Sequence, residues 1–136
     1  PANDAKRYRL LQRRVPVMKG ALSFVTVLLA LVSCGDPCSN EVQADSNSPS
    51  GLVSATWFVR NCGTTTDFST IVSVRRAGQS YQRKDSWAFV AKGRQKLRLA
   101  WDGSDHLTIK CFGCEEGDIF KKADLMGTVQ VSYQFD

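Results

Sequence analysis

The chain has a single histidine, His106, among its 136 residues. A Ser-His-acid catalytic site would have to use this histidine, but no serine lies in the sequence context of a nucleophile elbow. A zinc site needs four protein ligands when it is structural, and His106, Cys111 and Cys114 supply three. We therefore expect no catalytic residues, no bound metal and no cofactor held within the fold.

An excess of positive charge is missing from most of the chain, although the formal net charge is +5. Residues 1–33 contain six basic residues and one acidic residue. Subtraction from the totals of 18 basic and 13 acidic residues leaves 12 of each sign from Cys34 onward. Because nucleic-acid binding needs a lasting positive field, we expect no nucleic acid among the partners.

The chain also lacks an apolar run long enough for a membrane-spanning helix, which needs about 20 residues. Its longest apolar stretch, residues 21–32, fits instead the h-region of a signal peptide, which has about 7–15 apolar residues. Met18-Lys19-Gly20 directly before it fits the positively charged n-region. The sequence therefore predicts a signal peptide in residues 1–33, with an upstream extension and the true start at Met18.

The end of this apolar stretch is Leu31-Val32-Ser33-Cys34, which is followed by Gly35. This motif resembles the lipobox of bacterial lipoproteins. The resemblance implies cleavage before Cys34 and covalent attachment of lipid to that cysteine, so the membrane is an expected partner. Since glycine rather than aspartate follows Cys34, the resemblance favours the periplasmic face of the outer membrane within the cell envelope.

Residues 34–50 are polar and rich in serine and asparagine, with few apolar side chains. Such a composition cannot bury enough apolar surface to fold by itself. We therefore predict a lipid-attachment site followed by a flexible tether, which would span on the order of 20 Å.

Alternation of apolar and polar residues begins after Gly51 and continues to residue 136. This period of two is typical of half-buried strands. An Asp102-Gly103 pair between two such segments predicts a tight hairpin, whereas residues 115–125 fit a loop or one helical turn. The domain in residues 51–136 is thus predicted to be all-β, a small antiparallel β-sandwich or curled sheet of about six strands, namely 52–60, 69–75, 86–91, 97–101, 107–111 and 129–135.

Four cysteines remain when Cys34 is set aside: Cys38, Cys62, Cys111 and Cys114. An even number in an exported domain indicates disulfides, and four cysteines allow three pairings. The short spacing between Cys111 and Cys114 favours a bridge between them, which would leave Cys38 with Cys62.

The Cys111-Phe112-Gly113-Cys114 segment has a second interpretation, since CxxC is also the spacing of thiol-disulfide redox enzymes. That chemistry needs the motif at a helix amino terminus after a parallel strand, and no βαβ pattern is present here. Two functions therefore remain open. The favoured one is a binding or structural module without catalysis, and the alternative is an envelope redox protein using Cys111 and Cys114.

Two further motifs are Cys38-Ser39-Asn40-Glu41 and the stretch RNCGTTTDFST in residues 60–70. Together they resemble the signature of a family of small bacterial proteins with no assigned activity. The resemblance covers residues 38–75 and implies no catalytic residues. It places both cysteine motifs in one signature, which agrees with a bridge between Cys38 and Cys62.

The loop within this signature, Thr64-Thr65-Thr66-Asp67, offers three hydroxyl groups and one carboxylate. Such a loop could recognise a partner protein of the envelope. The alternative interpretation is that these side chains hydrogen-bond the backbone of their own turn.

The three tryptophans, Trp57, Trp87 and Trp101, all fall on the apolar phase of a predicted strand. Their positions favour packing in the core over a platform that stacks on sugars.

Overall fold

The computed structural model describes residues 37–136, so the predicted signal peptide, the predicted start at Met18 and the predicted lipid site at Cys34 lie outside the described residues. The described residues form one compact unit. Its nine strands, in chain order, are β1 (Ser39–Asn47), β2 (Val53–Asn61), β3 (Ser69–Arg76), β4 (Trp87–Lys92), β5 (Lys96–Trp101), β6 (His106–Phe112), β7 (Ile119–Lys122), β8 (Leu125–Met126) and β9 (Val129–Phe135).

These strands form two open sheets. Sheet 1 has the order β1-β2-β3-β4-β7, and every pair of neighbours in it is antiparallel. Sheet 2 has the order β5-β6-β9-β8, in which β6 and β9 run parallel and the other pairs antiparallel. The predicted all-β class is confirmed, with one parallel pair that the expected antiparallel arrangement did not include.

The core lies between the two sheets, and apolar side chains from both contribute to it. Val72 and Phe89 come from sheet 1, and Leu107, Ile109 and Val131 come from sheet 2. The predicted Asp-Gly hairpin joins β5 to β6, where the amide of Asp102 donates to the carbonyl of His106 at 2.9 Å. Alternation of apolar residues thus correctly identified the six strands that supply most of this core.

Strand β1 lies in the segment that was predicted to be a flexible tether, so that prediction is wrong for Ser39–Asn47. This strand pairs with β2 along its length. Its polar side chains also bond to those of β2: Ser54 Oγ donates to Asn47 Oδ1 at 2.6 Å, and Arg60 Nη1 donates to Asn40 Oδ1 at 3.1 Å. A ladder of backbone and side-chain hydrogen bonds, not apolar burial, therefore holds β1 at the edge of sheet 1.

Residues 115–125, predicted as a loop or one helical turn, contain a 3-10 helix of three residues at Glu116–Asp118. Strand β7 follows directly and forms one edge of sheet 1, and β8 begins at Leu125. Strands of four and two residues are too short for a period of two to be visible in the sequence. Within residues 37–136, no helix is both long and apolar enough to cross a membrane.

The tryptophans occupy two different layers. Trp57 and Trp101 pack against the core, as predicted. Trp87 lies on the outer face of sheet 1 instead, with its ring centroid 6.1 Å from that of Phe58. The β3–β4 pairing is irregular here, because Val72 opposes Phe89 but the next residue, Ser73, opposes Trp87. This irregularity shifts the alternation of side chains along β4.

Two disulfides are present. Cys38 is bonded to Cys62 with 4.0 Å between the Cα atoms, and Cys111 is bonded to Cys114 with 5.8 Å between them. This is the connectivity favoured by the sequence. The first bridge fixes the start of β1 to the end of β2, and the second closes a short covalent loop at the end of β6.

Tyr133 in β9 of sheet 2 reaches β4 of sheet 1 with its hydroxyl group. Its hydroxyl donates to the carbonyl of Ala123 at 2.7 Å and lies 3.2 Å from the carbonyl oxygen of Ala88 in β4. Burial raises the pKa of Tyr133 well above its ordinary value of 10.0. The phenol is therefore held as a neutral donor in the folded protein.

Replacement of both Cys38 and Cys62 by alanine should lower the free energy of unfolding by about 3 kcal/mol, because the unfolded chain loses a long covalent loop. The sequence separation of this pair is 24 residues, against three for Cys111 and Cys114. Urea unfolding of the double variants checks this, and the Cys111→Ala/Cys114→Ala protein should lose less. An equal or larger loss for the short loop would contradict the entropic explanation.

Tyr133 should also make stability depend on alkaline pH. Below its unfolded pKa the contribution of Tyr133 is fully present, and it is lost as the pH rises through the folded pKa, since the unfolded chain releases the proton first. Tyr133→Phe should cost about 1 kcal/mol at neutral pH and flatten the loss of stability above pH 10.0. Unfolding curves measured across alkaline pH test this, with Tyr81→Phe as the control that should retain the slope.

Candidate functional site

A cleft of about 880 Å³ opens at one end of the two sheets. The connections β1–β2, β3–β4, β5–β6 and β8–β9 meet at this end. Its floor is apolar and consists of Val53, Val74 and Val129, with Leu52 and Met126 beside them. Leu52 is 71% exposed, so its apolar side chain is available to a ligand or partner at the cleft. A concave surface with an apolar floor is the first place to expect binding.

The rim of the cleft carries charged side chains of both signs. Arg83 donates two hydrogen bonds to Asp85, at 3.1 and 2.5 Å. These bonds hold the pKa of Asp85 below its usual 3.8 and raise that of Arg83. Arg76 is exposed, and no ion pair to it occurs among residues 37–136. The rim therefore offers one cation, Arg76, for an acidic group of a ligand.

One wall of the cleft is the connection between β3 and β4, residues 77–86. Side chains from both flanking strands hold it in place. Arg75 Nε donates to the carbonyl of Gln79 at 2.7 Å, and Ser73 Oγ lies 2.7 Å from Ser86 Oγ. Trp87 Nε1 donates to the carbonyl of Tyr81 at 3.1 Å. This wall is thus preorganised, which lowers the entropy cost of binding at the cleft.

A row of aromatic side chains in edge-to-face contact, with an arginine at each end, supports the wall from the outer face of sheet 1, and we call it the outer ladder. The ring centroid of Phe58 lies 4.9 Å from that of Tyr81 and 6.1 Å from that of Trp87. An arginine closes each end: Arg75 lies 5.8 Å from the Tyr81 ring and Arg60 lies 5.6 Å from the Trp87 ring. Cation–π contacts of this kind contribute about 0.5–2 kcal/mol each.

Arg75 connects the outer ladder to the first two strands. Its Nη1 donates to Thr56 Oγ1 at 2.7 Å, and its Nη2 lies 3.7 Å from Asp45 Oδ1. Thr56 also hydrogen-bonds Asp45. Burial lowers the pKa of Arg75, and the charge of Asp45 opposes this shift. The guanidinium is therefore occupied by the protein itself and acts as a positioning group for the cleft wall.

The loop Thr64-Thr65-Thr66-Asp67 lies at the other end of the sheets, next to Cys62, and all four residues are exposed. Thr66 Oγ1 donates to the carbonyl of Gly63 at 3.2 Å, and Asp67 forms an ion pair with Lys92 at 3.1 Å. Part of this loop thus bonds to its own turn, which was the alternative interpretation. The loop does not contribute to the cleft.

The fold separates His106, considered as a metal ligand, from the cysteine pair considered for redox or metal chemistry. His106 begins β6 and its Nε2 lies 2.7 Å from Ser132 Oγ, whereas Cys111 is near the end of the same strand. Cys111 is fully buried and bonded to Cys114. The helix that follows has three residues, too few to supply the macrodipole that activates a redox cysteine. In the described part of the chain, no three His, Cys, Asp or Glu side chains are grouped as metal ligands.

The cleft residues were not identified from the sequence. They come from four separate connections and become neighbours only when the two sheets pack. The available signal was Leu52, an apolar residue directly after the Ser50-Gly51 turn, together with the adjacent pair Arg75-Arg76. Neither feature indicates a cleft without knowledge of which loops share an end.

Comparison of the chain with protein-family models, curated proteins and solved structures finds no match. The chemistry of the cleft is therefore inferred from its own residues, and the family signature in residues 38–75 stays a prediction.

Arg75→Leu should lower the free energy of unfolding by about 2 kcal/mol, since it removes hydrogen bonds to Thr56 and Gln79 from a largely buried site. The Arg75 side chain is 9% exposed. Urea unfolding measures the loss, and Arg98→Leu, on the exposed face of β5, provides the control with little expected change. Equal stability of the two variants would contradict the positioning role of Arg75.

Proposed function

We propose that this protein is a lipid-anchored protein of the bacterial cell envelope that binds a partner protein through the cleft. The observation that carries the anchor is the Leu31-Val32-Ser33-Cys34-Gly35 motif directly after an apolar run. Lipid on Cys34 would hold the chain stably, because two or more acyl chains bind a bilayer far more strongly than one. The glycine at position 35 favours the outer membrane and its periplasmic face.

The character of the cleft supports binding over catalysis. Its floor is apolar, and its acidic side chain Asp85 is paired with Arg83 at short range. A group that is fixed in a close ion pair is poorly suited to proton transfer at neutral pH, because its protonated form is scarce. Exposed Leu52 and half-buried Met126 instead offer contact area of the kind found at protein interfaces.

The partner segment that would fit this cleft has an apolar side chain followed or preceded by a carboxylate. The apolar group would cover Val53, Val74 and Leu52, and the carboxylate would pair with Arg76 at the rim. Burial of Leu52 against a partner would remove exposed apolar surface from water, which supplies the favourable free energy. The charge of Arg76 would select the acidic partner and its orientation.

The family resemblance of residues 38–75 belongs to the same proposal. Cys38 and Cys62, the two cysteines in that signature, form a disulfide at the start of the fold. We interpret the signature as a structural device that closes the first hairpin, and the cleft as the part that recognises the partner.

The anchor is tested by intact-mass analysis of the protein expressed from Met18 in a bacterial host. We expect a mass that corresponds to cleavage before Cys34 with added acyl chains. Cys34→Ser should abolish both changes, while Cys38→Ser provides a control that leaves the lipid in place. An unacylated product of unchanged mass in both the parent and Cys34→Ser would reject the anchor.

The cleft is tested by a photo-crosslinking amino acid placed at position 52 in living cells. We expect one discrete crosslinked protein that disappears when Arg76→Glu is added. The same probe at position 65, in the exposed threonine loop, is the matched control for the partner site expected from the sequence. Crosslinks from position 65 and none from position 52 would move the partner site to that loop.

A further inference from the structure

The chain enters the folded unit at the end opposite the cleft. Cys38 is bonded to Cys62, and the next residue, Ser39, pairs with Asn61 at the end of β2. The cleft lies at the other end of β2, beside Val53. Strand β2 has nine residues, and at about 3.3 Å per residue its length is about 30 Å.

The predicted lipid site is close to this entry point along the chain. Only three residues, Gly35, Asp36 and Pro37, separate Cys34 from Cys38. Four residue steps span at most about 14 Å even when fully extended. Because β1 begins at Ser39, the flexible link expected from the sequence is reduced to this short segment.

The entry end of the domain presents cations stacked on aromatic rings. Arg94 lies 4.3 Å from the ring centroid of Phe68. Lys96 of β5 and Lys110 of β6 lie 6.0 and 5.2 Å from the ring centroid of Phe112, which ends β6. Basic side chains beside aromatic rings match the headgroup region of a bilayer, where an apolar body and a charged tip are both satisfied.

Two of these cations have acidic partners at the surface. Arg94 Nη1 lies 3.0 Å from Glu41 Oε2, and Lys110 Nζ lies 2.6 Å from Asp136 Oδ2. The side chains of Arg94 and Glu41 are about half exposed or more, at 50% and 61%. Exposed pairs of this kind contribute little to stability, so each cation can exchange its carboxylate partner for another anion. Lys96 forms no ion pair among residues 37–136.

We propose that the entry end, defined by residues 62–68, 92–96 and 110–114, rests on the bilayer and contacts phospholipid phosphates, so that the cleft faces away from the membrane. This inference depends on the proposed lipid anchor at Cys34. The short link keeps the entry end at the bilayer, and Arg94, Lys96 and Lys110 bind the phosphates. The predicted threonine loop then faces lipid, while the cleft is presented to the periplasm about one strand length away.

Glycines with positive φ mark both ends of the domain and provide the probes. Gly63, Gly93 and Gly113 lie at the entry end, and Gly51 and Gly127 lie at the cleft. Full-length acylated protein, labelled with nitrogen-15 glycine, would be placed in phospholipid nanodiscs whose headgroups carry a nitroxide. Signals from the entry-end glycines should lose most of their intensity, and those from the cleft glycines should keep theirs.

A long serine-rich insertion between Gly35 and Asp36 is the matched control for the short link. The loss at the entry end should fall in this variant, since the domain then samples other orientations. Arg94→Glu with Lys96→Glu tests the phosphate contacts and should also reduce the loss. Lys84→Glu, in the β3–β4 connection, changes charge away from the entry end and should leave the pattern unchanged.

The outcomes separate the orientation from the anchor. Protein that is unacylated and does not copurify with the nanodiscs would reject the anchor on which the inference rests. Acylated protein in the nanodiscs with equal losses at all five glycines, or larger losses at Gly51 and Gly127, would overturn the orientation alone. An unchanged loss in the Arg94→Glu/Lys96→Glu protein would overturn the phosphate contacts.

Discussion

Strand β2 is buried on both of its faces, and this constraint shapes much of the fold. Its inner side, with Ala55 fully buried, packs on the core between the sheets. Its outer side carries Thr56, Phe58 and Arg60, all of them buried. A strand with two buried faces needs cover on both, so the β3–β4 connection lies over the outer face. Side chains of β1, the neighbouring strand, also bond to Ser54, Thr56 and Arg60 on that face. The outer ladder is that cover, and the same connection forms the cleft wall.

The outer face of sheet 1 buries polar and charged side chains as well as aromatic rings. Arg60 and Arg75 can be buried there because aromatic rings and hydrogen-bond acceptors surround their guanidinium groups. A buried charge without such partners would be costly. The strength of this layer thus depends on the whole set of contacts, and removal of one member leaves the others partly unsatisfied. The preorganised cleft wall is a consequence of that network.

Alternation of side chains was sufficient to predict the all-β class and six of the nine strands. It failed for β1, because Asn40, Asp45 and Asn47 are polar and their stabilising partners lie on β2. It also failed for Trp87, because an irregular pairing with β3 reversed the phase of the strand. In both cases the deciding interaction joins residues that are distant in sequence. The cleft could not be predicted from the sequence for the same reason, since residues of four separate connections form it.

Local sequence determined six of the nine strands, the Asp102-Gly103 hairpin and the favoured cysteine pairing, because alternation, turn chemistry and short spacing act between near neighbours. The lipobox-like motif at Cys34 is likewise a local signal, and its consequence remains a proposal. Only the tertiary structure decided that β1 belongs to sheet 1, that β6 pairs in parallel with β9, and that Leu52 and Arg76 lie at one cleft. These features depend on which strands become neighbours, and that is set by packing of the two sheets around a shared core.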